Sequence, residues 1–178
     1  MAELWCWRHP RARGADGRCI GRTDLAVDPR RAKRLAHRIR AAARANGLPR
    51  EVCVSPLARC RDVGRWLRRW GWRVQVDARL REVDFGHWDG RGWDQIAWAE
   101  VEAWQADLLQ HAPGGGESLA ALALRVQAFA AEGQGTRLVV SHGGWLNALR
   151  VVPPGSAKLA AKDWPAPPRH GALLRWPG

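Results

Sequence analysis

The sequence predicts an α/β fold, a three-layer sandwich in which a mostly parallel central sheet carries helices on both faces. Three observations predict it. Short apolar runs (LWCW, EVCV, RLVV) recur along the chain, and each stops at a polar residue or a proline, as buried strands do. Most of these runs are followed by a longer segment of helical character, and strands alternating with helices imply βαβ units. The length, 178 residues, suffices for one sizeable core and falls short of two ordinary domains, so one domain over residues 1–178 is expected.

The elements follow in order. Leu4 to Trp7 form the first strand, which Pro10 prevents from continuing far, leaving Arg8 and His9 where the strand ends. After the loop GADGRCIGRTDLAVDP comes a helix over Pro29–Asn46, with Asp28 as N-cap, Pro29 in its first turn and Gly47 just past its end. EVCVSP is a second strand, stopped by Ser55 and Pro56. Leu57–Trp70 is a helix with Leu57, Val63 and Leu67 on its core face. A third strand is expected around Val74–Asp77, then the irregular stretch REVDFGHWDGRGW, a helix over Asp94–Leu109, the break PGGGES and a helix over Ser118–Ala131. RLVVS is the fourth strand and runs into SHGG, where Gly143 and Gly144 permit close backbone approach and a helix start. After the proline-rich loop DWPAPPRH, ALLRW closes the chain as a last strand.

Composition narrows the function. With 46% hydrophobic and 26% charged residues the chain is globular, and no apolar stretch is long enough to span a bilayer. No basic leader precedes a long apolar region at the N-terminus, so the expected address is cytoplasmic. Cys6, Cys19, Cys53 and Cys60 show neither zinc-site spacing nor the density of a disulfide scaffold, and read as reduced thiols. The formal net charge of +12 favours an anionic partner. Nearly all of that charge is arginine, in a chain also rich in alanine and glycine, so coding bias accounts for it equally well. The arginines read as spread along the whole chain, and no nucleic-acid module is visible, so no nucleic-acid or membrane partner is expected. The rival is a basic, tryptophan-rich protein with stacking platforms for single-stranded nucleic acid.

Chemistry gathers at strand ends. Arg8 and His9 follow the first strand, Arg59 starts the helix after the second, Glu82 follows the third, and His142 follows the fourth. In a parallel sheet these loops share one edge, where ligands of open α/β sheets bind. Two arginines, two histidines and one carboxylate there make a cationic pocket suited to a phosphoryl group: donors for its oxygens, a nucleophile, and a proton source for the leaving oxygen. His37, His87, His111 and His170 have no such context and read as solvent-exposed.

LWCWRHP, VCVSPLARC, LREVDFGHWDG and LVVSHGG, in that order, resemble the successive signatures of the histidine phosphatase superfamily, which includes the cofactor-dependent phosphoglycerate mutases. Within it, GRCIGRTDLAV, LREVDFGHWDGRGWDQI and PGGGES are most similar to the alpha-ribazole phosphatases of cobalamin biosynthesis. The resemblance implies a phosphoglycerate mutase-like fold and a phosphorylated small-molecule substrate. It implies His9 as the nucleophile, Glu82 as general acid, and Arg8, Arg59, His142 and the backbone at Gly143 around the phosphoryl oxygens, with no metal and no cofactor. It also implies a small cap around residues 88–116, where Trp93 and Trp98 could offer flat faces to an aromatic substrate, with Arg11 and Cys19 as further pocket residues. Pro10, Arg11 and Ala12 depart from the superfamily pattern of a glycine and then a hydroxyl residue after the histidine, and Trp145, Leu146 and Asn147 depart after SHGG. The short stretch between Glu82 and Gly116 favours hydrolysis over a mutase, which needs to shield its phosphoryl group from water.

Overall fold

Alternating burial decides which side of the sheet each residue serves. The structure is a computed structural model describing residues 3–177. In the first strand, β1 (Glu3–Arg8), Leu4 and Cys6 face one layer while Trp5 and Trp7 face the other, the period-two alternation of a strand buried on both sides. The sheet contains β1, β2 (Glu51–Val54), β3 (Arg73–Val76), β4 (Thr136–Ser141) and β5 (Leu173–Pro177), in the order β3-β2-β4-β1-β5. The β1–β4, β2–β4 and β2–β3 pairs are parallel, and β5 runs antiparallel to β1.

Helices α1 (Pro29–Ala45) and α2 (Ala58–Arg69) cover the Trp5, Trp7, Val52 and Val54 face. Asp28 caps α1 by accepting from Arg30 N–H, and Pro29 occupies its first turn. Helices α4 (Leu119–Ala130) and α5 (Gly143–Val151) cover the Leu4, Cys6 and Val139 face, joined by Leu122, Val126, Phe129 and Trp145. The charge is not spread evenly. α1 carries seven basic residues and no acidic one, and α2 carries five basic and one acidic, which together account for nearly all of the chain's net charge of +12.

Two boundaries differ from expectation for local reasons. β3 stops before Asp77 because that carboxylate turns back to accept from Arg79 N–H and starts a 3-10 turn over Ala78–Leu80. The helix expected over Asp94–Leu109 is the shorter α3 (Trp98–Ala106). Trp93–Gln95 is a separate 3-10 turn closed by the Gln95 side chain on Gly92 N–H, and Ile96 is extended so that its side chain reaches the small core of Cys19 and Trp88. Among the described residues no helix is long and apolar enough to cross a membrane.

Candidate active site

Because β1 to β4 are mutually parallel, the segments leaving their carboxyl ends open on one edge of the sheet, around a cavity of ≈ 400 Å³. Arg8, His9, Arg59, Glu82, Gly143 and Gly144 all line it.

His9 follows β1 directly, its N–H held by the Ser141 carbonyl. Its Nδ1 lies 2.6 Å from the Pro10 carbonyl, which has only lone pairs to offer, so Nδ1–H donates and Nε2 keeps its lone pair. Burial first, then the charge of Arg59, holds the His9 pKa well below 6.5, and His170 and Arg8 add to the effect. A neutral imidazole with a free Nε2 is the state a nucleophile needs.

Arg59 is buried at the start of α2. Its Nη1 donates to the Thr23 carbonyl at 2.8 Å, its Nη2 to the Gly21 carbonyl, and its Nε to His142 Nδ1 at 3.2 Å. The loop holding it is itself fixed by Asp89, whose carboxylate accepts from the N–H groups of Gly21, Arg22 and Thr23 and from the Thr23 hydroxyl. The loop GRCIGRTD and the turn WDG therefore act together: one positions the guanidinium and the other clamps the loop. Arg8 donates through Nη1 to the Pro168 carbonyl at 2.7 Å, while its buried Nε has no partner among the described residues.

Glu82 is fixed by three backbone donors: Val83 N–H at 3.0 Å and Trp145 N–H at 3.2 Å on Oε1, and Gly144 N–H at 3.0 Å on Oε2. A Cβ at position 144 would stand 2.5 Å from Glu82 Oε1, so glycine is needed there for close approach. Behind Glu82, the Arg125 guanidinium donates to the carbonyls of Arg79, Arg81 and Glu82 and pairs with Glu117 of the PGGGES turn.

A neutral histidine, two guanidiniums and a carboxylate at one parallel-sheet edge form the constellation whose sequence signature matches the histidine phosphatase superfamily (branch 1) over residues 4–152. The chain belongs to that superfamily. Solved structures superpose over almost the whole chain. TTHB049 from Thermus thermophilus has a TM-score of 0.72 at 27% identity, covering 97% of this chain and 92% of that one. A phosphoglycerate mutase from the same organism has a TM-score of 0.69 at 27% identity, covering 97% and 91%. In sequence, the glucosyl-3-phosphoglycerate phosphatase of Mycobacterium tuberculosis is 32% identical over 141 residues, 66% of this chain and 59% of the relative. The chain thus spans about three fifths of the length of the curated relatives it matches.

Within this histidine phosphatase site several expectations are corrected. Cys19 does not line the cavity: it is fully buried against Trp88 and Ile96, and burial pushes its thiol up to about 12. Trp98, 65% exposed at the start of α3, is also outside the cavity, whereas Trp93 and Arg11 line it. His142 sits one layer back, its ring centroid 5.0 Å from that of His9. Arg59 Nε–H occupies its Nδ1, and its Nε2 lies 2.7 Å from the Ser55 hydroxyl, so it reaches a phosphoryl oxygen only by giving up Ser55. Burial and Arg59 hold its pKa well below 6.5. His170 is exposed, as its lack of sequence context suggested, yet it belongs to the site: its ring is 5.3 Å from His9 and its Nδ1 is 3.1 Å from the His9 carbonyl. Sequence reading also missed Asp89, Ser55 and the Glu117–Arg125 pair.

Proposed function

We propose that this protein hydrolyses phosphomonoesters through a phosphohistidine formed on His9 Nε2. The observation that supports this most is the fixed tautomer of His9: Nδ1–H is committed to the Pro10 carbonyl, and the remaining lone pair belongs to a cavity walled by Arg8 and Arg59. Nε2 attacks phosphorus while the P–O bond to the leaving group breaks, and Glu82 passes a proton to the departing oxygen. Water then attacks the phosphohistidine, Glu82 takes up its proton, and inorganic phosphate leaves with Nε2 restored. Arg8 and Arg59 offset the charge on the phosphoryl oxygens in both steps. His142 orients Arg59, and contacts the phosphoryl group if it exchanges Ser55 for it.

Two leaving groups have support. Phe85, Trp93 and Trp104 wall the cavity, with Phe85 edge-on to Trp104 at 5.9 Å, and this favours the ring of alpha-ribazole 5′-phosphate, the substrate implied by the sequence motifs. The similarity to glucosyl-3-phosphoglycerate phosphatase favours a sugar-linked phosphoglycerate. A phosphate-release assay on both compounds separates them by kcat/KM. His9→Ala should abolish turnover of either, and an alkaline quench of the wild type should trap an acid-labile phosphoenzyme. Turnover by the alanine variant at near the wild-type rate overturns the mechanism.

A further inference from the structure

A second cleft, of ≈ 300 Å³, opens beside the active site, and its walls include Arg11, Arg31, Arg34, Arg38 and His170. Arg11 and His170 also line the catalytic cavity, so the two spaces share a wall. Arg31, Arg34 and Arg38 are spaced by three and four residues, which puts them on one stripe of α1 about 10 Å long. All three are exposed, and among the described residues no carboxylate pairs with any of them.

Some arginines elsewhere are neutralised by carboxylates, as Arg79 is by Asp77 and Glu132, Arg125 by Glu117 and Arg65 by Asp62, whereas Arg68 and Arg69 of α2 are unpaired among the described residues but line no wall of the catalytic cavity. Like charges three and four apart on a helix repel, so an unpaired stripe opposes folding unless an anion neutralises it. The cleft is also sterically defined. Gly171, at φ +74, forms the wall opposite α1, where the Arg38 guanidinium and the Leu35 side chain reach it. His170 ties the same turn to the His9 carbonyl, which couples the cleft to the nucleophile's backbone.

We propose that this cleft is a second anion subsite, and that the physiological substrate is a phosphomonoester carrying a further phosphoryl or carboxylate group, held by Arg31, Arg34 and Arg38 while its scissile phosphoryl group lies at His9. The proposal rests on the phosphatase reading and narrows its substrate class. Guanidinium forks suit both kinds of anion, and binding energy gained on the remote group positions the reacting one.

Fructose 6-phosphate and fructose 1,6-bisphosphate share a sugar and differ by one phosphoryl group, so the ratio of their kcat/KM values reads the subsite and cancels any general loss of activity. The wild type should favour the bisphosphate by about tenfold, the effect of roughly one well-made charge-assisted contact. In R31Q/R34Q/R38Q the ratio should fall to near one. R65Q/R68Q/R69Q, which removes the same charge from α2, should keep the wild-type ratio. A wild-type ratio near one, an unchanged ratio in the α1 variant, or equal loss in both variants overturns the subsite. If the wild type hydrolyses neither of these esters nor nitrophenyl phosphate nor the two compounds named under the proposed function, the phosphatase reading fails by itself. Calorimetric titration with tripolyphosphate then decides the subsite: at least about tenfold weaker binding by the α1 variant supports it, and equal affinity overturns it.

Discussion

At the scale of single residues, Glu82 makes the sharpest test, because its carboxylate is held by backbone donors from the start of α5 and its neighbour Gly144 has no side chain to push it aside. If it protonates the leaving oxygen, Glu82→Gln should slow hydrolysis of an alkyl phosphate by about 10²- to 10⁴-fold, the usual worth of a positioned acid. Nitrophenyl phosphate, whose leaving group departs without a proton, should lose far less; equal losses on the two esters would assign Glu82 a structural role. Arg8, His9, Arg59 and Glu82 could be placed on one sheet edge from the sequence because each stands at a strand's carboxyl end or in the segment leaving it, and strand ends can be read from apolar periodicity and breakers. His170 was not legible. It reaches His9 through a turn preceding an antiparallel strand, across 161 positions of sequence, and nothing in HGALLRW shows which backbone it will meet. Cys19 and Trp98 failed in the opposite sense: proximity in sequence to the right loops does not say which way a side chain points.

The elements explain why the motifs occur together. Asp89 lies in a turn far from β1 in sequence, yet it holds the 21–23 loop, and that loop's carbonyls hold Arg59. The Asp89 carboxylate has more donors than its neutral isostere can serve. Asp89→Asn should therefore free the loop, loosen Arg59 and lower kcat/KM by about tenfold or more, since charge-assisted bonds of this type contribute roughly twice a neutral one. Stability should fall by about 1–3 kcal/mol, the range for leaving a buried polar group unsatisfied. A fall in thermal midpoint with kcat/KM intact would show that the loop supports the fold and not the site. Boundaries within this region were hard to read for a related reason: Ile96 is extended because its side chain is needed in the Cys19 and Trp88 core, and tertiary burial overrides the helical periodicity of its neighbours.

At the scale of the whole molecule, apolar patterning revealed the layers but not the order of the strands. Periodicity says that Leu4 and Trp5 face opposite layers; it does not say that β4 lies between β2 and β1, since that depends on which crossovers close without knots. The resulting order buries His9 and His142 against Arg59 at the sheet edge, with the exposed His170 alongside, and the two buried rings have pKa values held well below 6.5, chiefly by loss of solvent. The unfolded chain binds protons at these positions near pH 6.5, where the folded one does not, so the unfolded state holds more protons and stability rises with pH across that window. Their contribution is complete above about pH 7 and is lost as pH falls through 6.5 toward the folded values. The depressed carboxylates, among them Asp28, Asp77 and Glu132, act in a separate window, below their ordinary values of 3.8 and 4.5. Thermal midpoints should therefore decline between pH 7 and pH 5, above the window of these depressed carboxylates, and His142→Asn should show a shallower decline over the same range. A midpoint independent of pH between 7 and 5 would mean that the rings take up protons in the fold, and the neutral nucleophile inferred for His9 would fall with it.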